Sequence, residues 1–416
     1  MSAPVRGRRA AGRRVAKCDS PTAAKRMDVK QRMDVTRKSA VDSDELSFDF
    51  FSEQQRFWRR MANMPQLLEQ ACETRVGSTP SDVVFRTRGV RLLRYRRKTA
   101  AAYREPVLLC YALINRPYIL DLRPDKSLVR QYLDRGFDVY MIDWGEPSYE
   151  DRRLTLKDYV CGFMADIARF VLSESGSDKL HLLGYCMGGT MSTLFTTRYP
   201  RSVETLTLLA APIDFAGRET LLNCWTDQNY FDVDALVDSY GNVPAWFLQS
   251  CFLLMKPVHN MLGKYIDLYE QMDDPRAVTN FVAMERWVND NIPMPGGVFR
   301  EFVKKLFQAN ELVRGEFSLD GRRVDLARIR CPLLLLTAKS DHLVAPSSTE
   351  AIRRHVNSGD ITSMSIDGGH VGLVTGSKAQ ATLWPEAVRW LTERSTAVRT
   401  RTVVAKVART RVRRDG

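Results

Sequence analysis

Three residues of this 416-residue chain have the type and setting to do covalent chemistry. Cys186 follows the apolar run LHLLGY (180–185) and precedes MGGT, so it stands at a turn from strand to helix in the pattern Gly184-x-Cys186-x-Gly188-Gly189. A side chain held on such a turn projects outward as a nucleophile, and the three glycines leave room for the strand and helix to approach closely. The positive end of the helix dipole and the free N–H groups there favour a thiolate. The plain alternative is that Cys186 is a small buried hydrophobe.

Asp341 and His370 bear on that choice. A strand-turn-helix nucleophile of this kind takes its acid after a late strand and its histidine after the last one. Asp341 follows PLLLLTA (332–338), and His370 follows ITSMSI (361–366). His370 is expected to take the thiol proton and Asp341 to orient the imidazole. An oxyanion formed on the substrate needs two donors, and these are expected from the backbone of Met187 and of Ile114, in the loop after the third strand. His342 either supports the Asp341 loop or packs. Asp367 is a weaker candidate for the acid, better suited to shaping the turn. His181, His259 and His355 have no such placement and are expected to be packing or surface residues.

The surrounding elements are those required to hold such a site. Two opening strands (82–95) are followed by apolar runs at 107–113, 138–144, 180–185, 206–211, 332–338 and 361–366, with amphipathic segments at about 126–135, 155–174, 188–199, 346–357 and 384–393. Near-continuous apolar strands alternating with helices imply a mainly parallel sheet covered on both faces. With the elbow and the order Cys, Asp, His, this predicts an α/β-hydrolase fold. The stretch 213–328 contains no convincing buried strand and reads as a helical cap inserted between the sixth and seventh strands. The organisation expected is a basic extension (1–48), a core (49–212 and 329–394), the cap (213–328) and a basic tail (395–416).

Charge follows the same division. The net +13 resides in the tails: residues 1–40 carry +9 and residues 395–416 carry +6, leaving a body near −2. Both tails are short of aromatic residues and rich in Arg, Ala, Thr and Val, too little apolar surface to offset ordering entropy, and are expected to be mostly disordered, with weak polyanion binding or simple solubilisation as their role. No run reaches the roughly 18–20 apolar residues of a membrane span, and no apolar signal segment opens the chain. The eight cysteines show no metal, redox or haem spacing, which suits a reducing cytoplasm. No Gly-x-Gly-x-x-Gly follows a strand, so neither metal nor cofactor is expected.

Sulfur at the nucleophile position favours acyl transfer over hydrolysis, because a thioester stays activated and exchange between thioesters is nearly neutral. Cysteine hydrolases nevertheless share the elbow: dienelactone hydrolases, whose acid follows sooner and which lack a long cap, and intracellular polyester depolymerases both stay open as alternatives.

From about residue 80 to 392 the sequence resembles the catalytic subunit of the short, two-component poly(3-hydroxyalkanoate) synthases, class III in particular. The resemblance is carried by LINRPYILDLRPDKSLV, DWGEPSYEDRRLTLKDYV, GYCMGGT, YGNVPAWFLQSCFLLMKP, GKYIDLYEQMDD, FREFVKKLFQANELVRGE, GRRVDLARIRCPLLLLTAKSDHLVAP and GGHVGL. It implies polymerisation of (R)-3-hydroxyacyl-CoA, typically the 3-hydroxybutyryl thioester, with release of CoA through a thioester on Cys186. It carries the family's cysteine, aspartate and histidine onto Cys186, Asp341 and His370, with the aspartate also helping to activate the 3-hydroxyl. It further implies a second, non-catalytic subunit and a cytoplasmic location on the surface of the polymer granule, and it leaves room for a homodimer. The basic tails depart from the family pattern.

Overall fold

The computed structural model describes residues 43–217 and 219–398. Most of both basic tails, with the disorder expected of them, falls outside the described residues. The chain divides into two units, Met1–Met64 and Pro65–Gly416. Helix α1 (Ser43–Glu73) was not expected from the sequence, and residues 43–48, assigned there to the extension, belong to it. Asp44 and Glu45 stand in its first turn, where the helix dipole favours negative charge.

The second unit is built on one eight-stranded sheet. Its strands are β1 (Ser81–Thr87), β2 (Val90–Tyr95), β3 (Val107–Cys110), β4 (Val139–Asp143), β5 (Leu180–Tyr185), β6 (Val203–Leu209), β7 (Leu333–Ala338) and β8 (Ile361–Ile366). They lie in the order β1-β2-β4-β3-β5-β6-β7-β8. β1 pairs antiparallel with β2 and β2 with β4, and every other neighbour pair is parallel. Every residue of β3, β4, β5 and β7 is buried, which is why these segments read as continuous apolar runs. β8 closes the edge and is half exposed, alternating along its length.

Two boundaries differ from the sequence reading. β3 ends at Cys110 rather than 113, so the chain enters the loop to Ile114 earlier. β6 ends at Leu209 because Ala210 takes a positive φ of 42°, which turns the chain out of the strand.

Helices cover the sheet: α2 (Leu128–Leu133), α3 (Ala165–Ser175) and α4 (Met187–Arg198) follow β3, β4 and β5. Ser127 caps α2 by accepting the Arg130 N–H at 3.0 Å, and Gly176 ends α3 in the left-handed conformation at φ 63°. Residues 187–197 of α4 are all buried, so this helix is sheathed on every side. Between β6 and β7 the chain is helical, as expected. α5 (Leu221–Trp225), α6 (Val233–Tyr240), α7 (Ala245–Leu254), α8 (Lys264–Gln271), α9 (Pro275–Asn289), α10 (Gly296–Glu301) and α11 (Glu311–Arg314) are followed by a two-residue ribbon pairing Ser318–Leu319 with Arg322–Arg323. α12 (Pro346–Glu350), α13 (Gly372–Thr375) and α14 (Trp384–Thr392) complete the layer after β7 and β8. No described helix is long and apolar enough to cross a membrane.

Candidate active site

The apolar run of β5 ends at Tyr185, and the next residue reverses the chain. Cys186 has φ 55° and ψ −128°, a conformation L-residues rarely adopt and one that costs on the order of 1–3 kcal/mol. The surroundings enforce it: the Cys186 N–H donates to the Leu209 carbonyl at 2.9 Å, and the Cys186 carbonyl accepts the Gly189 N–H at 2.8 Å. The flanking glycines are a steric requirement. A Cβ on Gly184 would lie 2.5 Å from Gly189 Cα, one on Gly188 2.3 Å from the Cys110 carbonyl oxygen, and one on Gly189 2.3 Å from Ala211 Cβ. Strand, elbow and helix are therefore packed backbone to backbone.

Met187 is the first residue of α4, where backbone N–H groups have no partner within the helix. It lines a cavity of about 420 Å³ together with Cys186 and Ile114. The remaining wall is mostly apolar and includes Phe215, Phe247, Phe252 and Phe299 from the insertion between β6 and β7. Leu343 and Val344, from the loop that carries Asp341, close it on another side.

His370 lies in the loop between β8 and α13, buried with 5% of its surface exposed. Its Nδ1 is 2.7 Å from Asp341 Oδ2, and the Cys186 sulfur is near enough for its charge to act on the ring. With Nδ1 occupied by the carboxylate, Nε2 is the nitrogen left for sulfur. Burial pushes the imidazole pKa down, but the Cys186 charge and then the hydrogen bond and charge of Asp341 outweigh it and raise the pKa from 6.5 to about 10. The arrangement favours the protonated form of the imidazole.

Tyr185, for which the sequence offered no signal, packs on the same ring: the centroids are 5.0 Å apart at 24°, and the phenol donates to the His370 carbonyl at 3.1 Å. His342, the neighbour of Asp341, is half buried with Nδ1 lacking a hydrogen-bond partner. Burial and then the nearby Lys256 lower its pKa.

The other residues weighed from sequence lie elsewhere. Asp367 is exposed and paired with Lys339 at 2.9 Å and Lys378 at 2.8 Å. His181 is a packed core residue, its ring nitrogens 2.9 Å from Thr205 Oγ1 and 3.0 Å from Ser395 Oγ. Burial lowers its pKa to about 3. His259 is exposed and His355 partly so. Among the described residues no three His, Cys, Asp or Glu side chains come together as a metal site.

A cysteine on a strand-to-helix elbow, an imidazole after the last strand and this strand order define the class: an α/β-hydrolase fold. Residues 105–377 match the family model of that fold, and residues 46–133 match that of the poly-beta-hydroxybutyrate polymerase (PhaC) N-terminus. Relatives named poly(3-hydroxyalkanoate) polymerase subunit PhaC extend the match. That of Haloferax mediterranei is 41% identical over 82% of this chain and 71% of its own length. That of Allochromatium vinosum is 37% identical over 85% of this chain and 99% of its own. That of Synechocystis sp. is 38% identical over 82% and 91%. The chain belongs to the poly(3-hydroxyalkanoate) polymerase PhaC family, which makes it an acyltransferase.

Proposed function

We propose that the chain polymerises (R)-3-hydroxyacyl groups from their CoA thioesters, 3-hydroxybutyryl-CoA above all, with Cys186 as the acyl carrier. The Cys186 thiolate attacks the thioester carbonyl while the oxyanion is held by the backbone N–H groups of Met187 and Ile114. The C–S bond to CoA then breaks, and the departing CoA sulfur takes the proton from His370. In elongation the 3-hydroxyl of one unit attacks the acyl carbonyl of another. The new C–O bond replaces a C–S bond, and the hydroxyl proton passes to the base. Asp341 keeps Nδ1 of His370 engaged so that Nε2 serves the reaction, and aids the attacking hydroxyl.

The observation that supports this reading is His370 held 2.7 Å from Asp341 and under the charge of Cys186, beside a largely apolar cavity that Cys186 lines with Met187 and Ile114. An apolar wall suits an aliphatic polyester and disfavours the water that would release each acyl group. We further propose that the chain acts as a class III synthase with a second, non-catalytic subunit, in the cytoplasm at the surface of the polymer granule. Its basic tails would add weak attraction to polyanions.

The test is to supply (R)-3-hydroxybutyryl-CoA to the protein purified from its host with whatever copurifies. CoA release with accumulation of insoluble polyester is expected. CoA release with free 3-hydroxybutyrate and no polymer would replace this reading by the hydrolase one.

A further inference from the structure

The histidine of this site sits on a loop, between β8 and the four-residue helix α13, whereas the sulfur it must meet sits at the end of a central strand. Loops carry less of their own order than strands, so something must set the distance between the two groups. One side chain touches both the histidine and the strand that carries Cys186. Tyr185 is the last residue of β5, adjacent in the chain to Cys186, and is 1% exposed. Its ring lies nearly parallel to the imidazole, and its phenol donates to the main-chain carbonyl of the same histidine. It also packs against the buried Tyr111, ring centroids 5.5 Å apart, in the segment directly after β3.

We infer that Tyr185 is the positioning residue for His370, its ring setting the imidazole plane and its hydroxyl tying the histidine loop to the strand that carries the nucleophile. The reference for the imidazole thereby becomes the residue next to Cys186. The stack also places the negative face of an aromatic ring against a group that becomes cationic when it takes the thiol proton. Burial and then the neighbouring Tyr111 hold the phenol well above its usual pKa, so it remains a donor throughout the working range.

This inference rests on Cys186 and His370 being the acting groups, and the experiment separates the two. Tyr185→Phe keeps the ring and removes the tie; Tyr185→Met removes both. CoA release from (R)-3-hydroxybutyryl-CoA is measured alongside the pH dependence of Cys186 alkylation by iodoacetamide, read by mass spectrometry on the peptide containing that cysteine. Alkylation needs no substrate and reports the Cys186–His370 pair as a unit.

For Tyr185→Phe, kcat is expected to fall about three- to tenfold at little changed KM, with the alkylation profile in place. For Tyr185→Met the fall is expected to be about a hundredfold, with the alkylation midpoint moved to higher pH by about one unit. Equal rates and equal alkylation profiles for the two variants would overturn the inference. If circular dichroism shows Tyr185→Met to be unfolded, Tyr185→Phe decides: kcat within about twofold of the parent overturns it. Turnover that survives in Cys186→Ala refutes the site itself, whereas loss there with both tyrosine variants unaffected refutes only the positioning role.

Discussion

Asp341 uses its two carboxylate oxygens for different purposes: Oδ2 lies 2.7 Å from His370 Nδ1, while Oδ1 accepts the N–H groups of Leu343 and Val344 at 2.8 and 2.9 Å. The acid is locked by its own loop before it meets the imidazole. Asp341→Asn fits the same space but replaces a charge by an amide dipole. We expect CoA release to fall by about 10²- to 10⁴-fold with the fold retained, as checked by steady-state kinetics and near-UV circular dichroism.

Cys186→Ala removes the proposed acyl carrier without altering the packing of β5 or α4. CoA release should drop below about a thousandth of the parent rate, with thermal stability close to that of the parent. Substantial residual turnover would show that the elbow does not carry the chemistry.

Gly188→Ala tests the close packing of the elbow. The added methyl would sit 2.3 Å from a carbonyl oxygen of β3, so helix and strand must separate. A loss of at least about 1–3 kcal/mol in denaturant unfolding is expected, together with loss of activity. Gly162 is the matched control, because a Cβ there meets nothing within 4 Å. Gly162→Ala, in a helical segment, should be neutral or stabilising by up to about 1 kcal/mol.

His181 sets an acid limit on stability. Its pKa is lowered by burial from 6.5 to about 3, so between these values the unfolded chain binds a proton that the folded chain does not. Stability contributed by the neutral imidazole is present above pH 6.5 and is lost as pH falls toward 3, at up to about 1.4 kcal/mol per pH unit. Urea unfolding of the parent between pH 7 and 4 should show this slope, and His181→Gln should show a shallower one.

Much of this was legible before any coordinates. All eight sheet strands were marked in the sequence, and β3, β4, β5 and β7 most plainly, because a strand covered on both faces must be apolar at successive positions, as Leu333–Leu336 are. The glycines around Cys186 were legible because only a missing Cβ permits the backbone contacts found at Gly184, Gly188 and Gly189. Helix α1 escaped notice, since its apolar residues are interspersed with charges and Pro65 lies within it. Tyr185 escaped for a different reason: an aromatic at the end of a buried strand is ordinary, and nothing in LHLLGY says which ring it will face.

The sequence by itself determined the local matters: which segments are strands, where the chain turns at Cys186, and that an aspartate and a histidine follow the last two strands. Those follow from side-chain periodicity and backbone sterics, which act over a few residues. The tertiary structure decided that β3 lies between β4 and β5 and that β5, β6, β7 and β8 run side by side, so that the ends of distant segments open on one cavity. It also decided that Asp341 rather than Asp367 faces His370, and that the Tyr185 phenol at the end of β5 donates to the carbonyl of that histidine. Such choices depend on crossovers and on burial between residues far apart in the chain, and no local pattern encodes them.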